Sequence, residues 1–274
     1  MPIISPHLVA IEKREKQLRN VLGSVAITAV LLITASATRA EDTLKIATEG
    51  AYPPFNQLEP DGTLSGFDVD IAKAVCTDMK VTCEFVKQDW DGLIPGLLAR
   101  KFDIIAASMT ITDERKKKVD FTKKYYQTPS QFSAKKGSGL TVTPDGLKGK
   151  TIGVQRGTIH ACFIEKNFAA SEVKQYASQQ EAFNDLAAGR VDVVFSDTVG
   201  ADQQLLKGPD GAAYELVGPP QKDECLGEGV GMAMRKGSDA LRERINESIQ
   251  HIRDDGTYAK INSKYFNFDL YGDK

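Results

Sequence analysis

The stretch FDIIAASMTITDER, residues 102–115, decides the fold of this chain. Its first part, Phe102 to Ala107, is apolar and has small residues on both faces, which is typical of a strand buried in a parallel sheet. Hydroxyl and charged residues follow, and Thr112 with two acidic residues after it predicts the start of a helix. A buried strand that leads directly into a helix indicates an α/β fold.

Arg115 is predicted to lie in the first turn of that helix, just past the carboxyl end of the strand. Ligands of open α/β sheets bind at this edge. An arginine beside hydroxyls and free backbone N–H groups is suited to hold a carboxylate through two parallel hydrogen bonds. The alternative is a solvated surface arginine on a basic helix, because Lys116, Lys117 and Lys118 follow.

The first 40 residues have the pattern of a secretory signal peptide. Basic residues at positions 13–19 precede an apolar run, Val21 to Ile33, and then small residues that end at Ala40. The apolar run is too short for a comfortable membrane span. We therefore expect cleavage after Ala40, or after Ala37, with an uncleaved anchor as the alternative.

The charge of the chain limits its partners. Of 274 residues, 41% are hydrophobic and 26% charged, which is ordinary for a soluble globular protein of one or two domains. Residues 1–40 carry five Lys or Arg and two Asp or Glu, so their removal changes the formal net charge from −2 to −5. An acidic mature chain argues against nucleic acid and favours a cationic small partner.

All four cysteines lie after the signal segment, in the part expected to be exported. Cys76 and Cys83 are close in sequence and fit a short-loop disulfide in an oxidising compartment. Cys162 and Cys225 are far apart and could pair or stay free.

A short internal repeat indicates two similar α/β units. Lys101–Ile105 parallels Arg190–Val194, and in that register Ser108 and Asp197 each lie just beyond a strand. Two such units in one chain predict two lobes that face each other across a cleft.

Periodicity predicts the remaining elements that surround these units. Strands are expected at Leu44–Thr48, Val81–Val86, Thr151–Val154, Val191–Ser196 and Val230–Met234. Helices are expected at Gly66–Met79, from Asp91 as the cap to Arg100, from Ile159, at Gln179–Ala188, and around Leu241–Ile252.

Seven segments, in this order, resemble the periplasmic solute-binding proteins of polar amino-acid ABC transporters, and most of all their lysine/arginine/ornithine- and histidine-binding group. The resemblance extends over about Thr43 to Asp273. Its segments are EGAYPPFN from Glu49, GFDVDIAKAVC from Gly66, DGLIPGL from Asp91, SMTITDER from Ser108, LKGKTIGVQRGT from Leu147, GEGVG from Gly227 and DGTYAKINSKYF from Asp255.

This resemblance implies an α/β, two-lobed periplasmic binding protein type II fold with two crossovers and a ligand cleft between the lobes. The expected division is a signal peptide at 1–40, lobe 1 at 41–127 plus 228–274, lobe 2 at 131–222, and hinge crossovers at 128–130 and 223–227. The implied function is to capture a basic amino acid in the periplasm and deliver it to an inner-membrane ABC permease. Arginine, lysine and ornithine are the first candidates, followed by histidine or an opine; a monomer without a cofactor is expected.

The family's functional residues can be carried over one by one. Its carboxylate-binding arginine corresponds to Arg115, and its acid for the ligand's α-amino group to Asp197. Its acid for the distal amine corresponds to Glu49, and its stacking aromatic residues to Tyr52 and Trp90. Supporting contacts correspond to Ala107, Ser108, Thr110 and Thr158, and the disulfide known in the group corresponds to Cys76 and Cys83. His160 stands where small polar residues are frequent in the group, although a histidine there is also seen in arginine-binding members, and it is a further candidate for ligand contact.

Each of these residues also has a plain structural interpretation. Tyr52 could be a core residue, Trp90 a structural one, Asp197 a helix cap and His160 an ordinary helix residue. Ala107 replaces a serine that is common in the group, so only its backbone could contribute.

Other functions receive less support from the sequence. The three histidines show no metal-ligand spacing, and no nucleophile elbow is present. An enzyme on the same fold, such as a cyclohexadienyl or arogenate dehydratase, would need a second cation for a second substrate carboxylate, whereas Glu49 calls for a cationic side chain. A sensor domain is disfavoured because no second apolar span follows.

Overall fold

The computed structural model describes residues 43–272. The expected signal peptide, 1–40, and residues 41–42 and 273–274 of the expected lobe 1 lie outside the described residues. The strands are β1 (Thr43–Thr48), β2 (Ala51–Tyr52), β3 (Asn56–Leu58), β4 (Leu64–Ser65), β5 (Thr82–Lys87), β6 (Ile104–Ile105), β7 (Val119–Phe121), β8 (Ser130–Lys135), β9 (Thr151–Gln155), β10 (Glu172–Tyr176), β11 (Val193–Asp197), β12 (Tyr214–Gln221) and β13 (Ala233–Arg235). The helices are α1 (Phe67–Met79), α2 (Leu93–Leu98), α3 (Asp113–Lys116), α4 (Ile159–Asn167), α5 (Gln179–Ala187), α6 (Thr198–Ala201), α7 (Asp239–Asp254) and α8 (Thr257–Tyr265).

Two five-stranded sheets form the centres of two lobes. The first has the order β5-β1-β6-β13-β7, and the second has the order β10-β9-β11-β8-β12. In each sheet the first three strands are parallel, the fourth is antiparallel to the third, and the fifth is antiparallel to the fourth. Helices cover the parallel strands because both faces of such strands are apolar and must be buried.

The internal repeat is confirmed by the strand register. Ile104 of β6 pairs with Ile46 of β1, and Val193 of β11 pairs with Ile152 of β9 in the same arrangement. The aspartate that precedes each of these strands, β6 and β11, also makes the same kind of hydrogen bond to the neighbouring strand. Asp103 accepts a hydrogen bond from the backbone N–H of Lys45 at 3.2 Å.

Asp192 accepts the equivalent bond from Thr151 at 2.8 Å. The repeated sequence therefore marks one strand-pairing unit used twice, in the two-lobed α/β architecture that was expected.

The chain passes between the lobes twice, and the two passing segments are bonded to each other. The first leads from β7 to β8, and the second leads from β12 through a 3-10 turn at Glu224–Leu226 to β13. Val230 donates its backbone N–H to the Tyr126 carbonyl at 2.9 Å, and its own carbonyl accepts from Tyr125 at 2.9 Å.

One predicted helix differs from the structure. Asp91 does not cap a helix to Arg100, because it lies inside a 3-10 turn at Trp90–Gly92, and α2 begins at Leu93 and ends at Leu98. The Asp91 side chain pairs with Arg156 of the other lobe instead. The Asp91 carboxylate is therefore bound to a residue distant in sequence and does not cap a helix.

The stretch that decides the fold is a shorter strand than its composition suggests. Only Ile104 and Ile105 form β6, and Ala106 continues with a single bond from its N–H to the Ala47 carbonyl at 2.9 Å. The predicted strand Val230–Met234 is likewise displaced to Ala233–Arg235, and Val230 forms isolated bridges.

Each lobe has its own apolar core. Ile46, Phe67 and Ile104 belong to the core of the first lobe and are 0–1% exposed. Phe132 and Phe195 belong to the core of the second and are fully buried. Rigid, separately packed lobes position the side chains that follow their strands.

Both cysteine pairs are disulfides. Cys76 and Cys83 join the end of α1 to β5 with their Cα atoms 6.1 Å apart. Cys162 and Cys225, whose pairing the sequence left open, join α4 to the second crossover with Cα atoms 5.8 Å apart.

Candidate functional site

One cavity lies between the lobes, at the carboxyl ends of the parallel strands of both sheets. The space within it is about 370 Å³, including solvent at its open side. The residues that line it are Glu49, Tyr52, Trp90, Ala107, Ser108, Thr110, Arg115, Gln155, Thr158, Ile159, His160, Gln179 and Asp197. The structure thus brings together all the side chains that the sequence singled out for ligand contact, while their roles stay predictions.

Arg115 is held at the cleft by a one-turn helix. Thr112 caps α3 by accepting the Arg115 backbone N–H at 3.2 Å, as predicted. The guanidinium donates to the Thr110 carbonyl at 2.8 Å and, across the cleft, to the Gly157 carbonyl at 3.4 Å. Burial lowers the pKa of Arg115 to about 10, so it stays charged at neutral pH.

No carboxylate among residues 43–272 forms an ion pair with Arg115. The guanidinium also packs against the ring of Trp90, with its central carbon 5.2 Å from the ring centroid. A cation whose hydrogen-bond acceptors are neutral carbonyl oxygens is suited to bind an anion, because a carboxylate would add the charge that the chain does not supply.

The hydroxyl of Ser108 is already engaged within the first lobe. It donates to Asp68 at 2.9 Å and accepts from Tyr126 at 2.7 Å. Asp68 is fully buried, and its pKa is raised by burial in spite of these hydrogen bonds. Ser108 therefore positions the backbone between Ala107 and Thr110, where the cavity wall is formed by main chain and small side chains.

Asp197 is the acidic group at the centre of the cleft, directly at the end of β11. It accepts from the Tyr52 hydroxyl at 2.8 Å and from the Thr128 hydroxyl at 2.8 Å. Burial alone would raise the pKa of Asp197, but His160 and these two hydroxyls lower it below its usual value. Asp197 is therefore an ionised acid in a nearly closed site, and it makes no capping hydrogen bond to α6.

His160 supports Asp197 from the second lobe. Its Nε2 lies 3.6 Å from the Asp197 carboxylate and 3.1 Å from the Ser130 hydroxyl, and the residue is 4% exposed. The histidine faces the cavity on the first turn of α4, rather than solvent. His251 by contrast is an exposed residue that contacts Asp78.

Glu49 is a buried acid at another part of the cavity. It is 5% exposed and accepts a hydrogen bond from Gln155 Nε2 at 2.7 Å. Burial is the main cause that raises the pKa of Glu49 to about 7, while the Gln155 amide acts in the opposite direction. No Lys, Arg or His of the described chain forms an ion pair with Glu49.

Thr158 has a structural role beside any contact with a ligand. Its hydroxyl donates to the Gln155 carbonyl at 2.7 Å and caps α4 by accepting from Ala161 at 3.2 Å. Thr158 therefore orients the N-terminal turn that carries Ile159 and His160.

Sequence reasoning missed Gln155 and Gln179 as cavity residues. Gln155 is the last residue of β9 and Gln179 the first residue of α5, and both are nearly fully buried. A signal existed in their position, since each lies at the carboxyl edge of the second sheet. Glutamine is an ordinary surface residue, however, and nothing in its local pattern shows burial.

The two lobes are in direct contact around the cavity. Besides the Tyr52–Asp197 and Glu49–Gln155 bonds, Trp90 Nε1 donates to the Gly157 carbonyl at 3.3 Å. Gln204 Nε2 donates to the Pro53 carbonyl at 3.3 Å. A ligand in this cleft is enclosed by both lobes.

Within the described range 43–272, no three His, Cys, Asp or Glu side chains are grouped so that they could hold a metal ion. In the same range, no helix has both the length and the apolar character of a bilayer span.

Two α/β lobes that close on one polar cavity define a solute-binding protein. The chain matches the model of the bacterial extracellular solute-binding proteins, family 3, over residues 44–268, and it belongs to that family.

Individual relatives agree with this assignment. The chain is 47% identical to the L-arginine-binding protein of Pseudomonas aeruginosa, over 92% of this chain and 97% of the relative. It is 39% identical to the histidine-binding periplasmic protein of Escherichia coli K12, over 92% of this chain and 98% of the relative.

Among solved structures, a Salmonella typhimurium periplasmic binding protein with high arginine specificity superposes with a TM-score of 0.76. It is 33% identical, over 82% of this chain and 100% of that protein.

Proposed function

We propose that this protein captures a basic amino acid, arginine first, in the periplasm and delivers it to an inner-membrane ABC permease. The observation that carries the proposal is the distribution of charge in one closed cavity. It contains a half-buried cation, Arg115, a half-buried acid, Asp197, and a buried acid, Glu49, and none of the three has an ion-pair partner of permanent charge within residues 43–272.

Arg115 and Asp197 match the α-carboxylate and the α-ammonium group that every amino acid carries. Arg115 presents a planar fork of N–H donors, which pairs with an α-carboxylate through two parallel bonds. Asp197, ionised and placed at the end of β11, accepts from an α-ammonium group. The Tyr52 and Thr128 hydroxyls hold the Asp197 carboxylate in place for that contact.

We propose that Glu49 determines which class of ligand side chain binds in the cavity. An unpaired buried carboxylate is costly, and a cationic side chain that binds there removes this cost. A glutamate ligand would place its carboxylate against Glu49 in a closed cleft. We therefore propose that acidic amino acids are rejected and that neutral ones such as glutamine bind weakly.

Two aromatic residues favour arginine among the cations. Tyr52 and Trp90 line the cavity and are proposed to flank the stem or the guanidinium of the ligand, because aromatic faces attract cations. A planar guanidinium gains both from stacking and from a two-pronged contact with a carboxylate. The names of the relatives, which include arginine-binding and histidine-binding proteins, support this class of ligand.

Export to the periplasm and delivery to a permease are proposed on the expected signal segment and on the family. A non-enzymatic role is proposed on the charge of the site. Among the residues that line the cavity, Arg115 is the one permanent cation, whereas a dicarboxylate substrate of a dehydratase would need a second. Incubation with prephenate or arogenate should leave both compounds unchanged, and turnover of either would contradict this part.

The test of the proposal is a competition series against labelled arginine. Wild-type protein should prefer arginine, lysine or ornithine over glutamine by more than about a hundredfold, because the buried charge of Glu49 discriminates between a cation and an amide. Glu49→Gln should shrink that gap by at least about tenfold. The exposed Glu247 on α7 provides the matched control, and Glu247→Gln should keep the wild-type preference. An unchanged preference in Glu49→Gln would contradict the role of Glu49.

A further inference from the structure

Gln179 is a buried amide that finds no hydrogen-bond partner in the described chain. The residue is 1% exposed, and its Nε2 has no partner among residues 43–272. An unpaired buried amide destabilises a fold, whereas an apolar residue of the same size would not. Its side chain lines the ligand cavity, so a molecule in that cavity is the partner within its reach.

The strand topology places Gln179 at the same end of the cavity as Glu49, the acid proposed for the distal end of the ligand. The strands β9 and β10 run in parallel, and Tyr176 at the end of β10 pairs with Gln155 at the end of β9. Gln155 Nε2 donates to the carbonyl of Ala177 at 3.1 Å and to the carboxylate of Glu49 at 2.7 Å. Gln179 follows Ala177 by two residues and opens α5, so it belongs to the same end of the cavity as Glu49.

The Gln155 amide is held in one orientation, and the Gln179 amide is not. Gln155 Nε2 donates to both Glu49 and the Ala177 carbonyl, and these two acceptors fix the orientation of its amide. The Gln179 amide can turn by half a rotation and present either oxygen or nitrogen to the cavity at little cost.

We infer that Gln179 is a specificity-determining residue whose amide oxygen accepts a hydrogen bond from the end of the bound side chain, and that it favours a guanidinium over an ammonium. The inference rests on the proposed function. Glu49 and Gln179 together offer acceptors from both lobes. A guanidinium presents five N–H donors in a plane and can use them all, whereas an ammonium has three donors around one atom.

The experiment measures arginine, lysine and ornithine affinities by calorimetry for wild type and Gln179→Met. Methionine keeps the length of the side chain and removes its polar atoms. Its matched control is Gln180→Met, since Gln180 is the exposed neighbour on the same helix. The melting temperature of each ligand-free variant is the second measurement, because it reports a purely structural role.

Gln179→Met should weaken arginine by about tenfold or more, which is the effect of one hydrogen bond to a charged group, while lysine and ornithine change by less than about threefold. Its ligand-free melting temperature should stay the same or rise, because an unpaired buried amide is removed. Gln180→Met should leave all three affinities at wild-type values.

Equal changes for arginine and lysine, no change for either, or a lower ligand-free melting temperature would overturn the inference and leave the proposed function intact. A wild-type protein that binds none of the three ligands would overturn both, so the two failures are distinguishable.

Discussion

The two lobes use the same strand-pairing unit and present opposite charges to the centre of the cleft. Asp103 in one lobe and Asp192 in the other each accept a backbone N–H of the neighbouring strand. Beyond the equivalent strands, the first lobe continues to Arg115, and the second lobe ends its strand at Asp197. The repeated part is therefore the scaffold, and the chemistry lies in the residues just after it.

With the roles proposed for Arg115 and Asp197, this difference would let one architecture recognise both ends of a zwitterion. A carboxylate and an ammonium on one carbon need opposite partners a few ångströms apart. Two lobes that each bring one partner, and that touch each other through Tyr52 and Asp197, meet this need only when the cleft is closed. Removing a group from one lobe should therefore affect one end of the ligand.

The largest expected effect on binding comes from Arg115→Ala. The ligand carboxylate would be left buried without its charge partner, which costs on the order of 3–5 kcal/mol. Calorimetry should show arginine binding nearly lost while circular dichroism shows an intact fold. Arg115→Lys should also fail substantially, because an ammonium lacks the two-pronged geometry.

The control for Arg115→Ala is Lys118→Ala, a change at an exposed position two residues after α3, which should bind as wild type does. A loss of less than about tenfold in Arg115→Ala would show that the role of Arg115 is wrong.

The disulfides of the two lobes should differ in their contribution to stability. Cys162 and Cys225 are separated by 63 residues, and Cys76 and Cys83 by 7. Loop-closure entropy then predicts that replacing both cysteines by serine destabilises the fold by about 4 kcal/mol for the long loop and about 2.5 kcal/mol for the short one. Denaturant unfolding of the two double variants measures both values, and an equal or reversed order would contradict the prediction.

Glu49 should make ligand affinity depend on pH. Its pKa is raised to about 7, so a cationic ligand must bind the ionised form and displace a proton at lower pH. Arginine should therefore bind up to about thirtyfold more weakly at pH 5.5 than at pH 8.

The stability of the ligand-free protein should change in the opposite direction. Between about pH 4.5, the ordinary pKa of a glutamate, and about pH 7, the folded protein binds more protons at Glu49 than the unfolded chain does, so stability falls as the pH rises through this window. Calorimetry and thermal melts in Glu49→Gln should show both slopes reduced. If the variant keeps the wild-type slopes, another group is responsible for them.

Residues with strong local signals could be predicted from the sequence. Thr112 as a helix cap and the strand repeat needed only neighbouring residues, and the cleft followed from two α/β units in one chain. The family resemblance then selected Asp197 and Glu49, which the structure brings to the same cavity.

Residues defined by distant contacts could not be predicted. Asp91 has the sequence of a cap and instead pairs with Arg156 in the other lobe. The burial of Gln155 and Gln179 depends on how the lobes close, and no periodicity reports that. Local rules describe a lobe, whereas the contacts between lobes depend on the tertiary fold.

The most direct test of the account is a set of titrations with arginine, agmatine and desamino-arginine against wild type, Arg115→Ala and Asp197→Asn. Agmatine lacks the carboxylate of arginine, and desamino-arginine lacks its α-amino group. The account predicts that Arg115→Ala weakens arginine and desamino-arginine but hardly changes agmatine. Asp197→Asn should weaken arginine and agmatine but hardly change desamino-arginine. If each variant weakens all three ligands by the same factor, the division of recognition between the lobes is wrong.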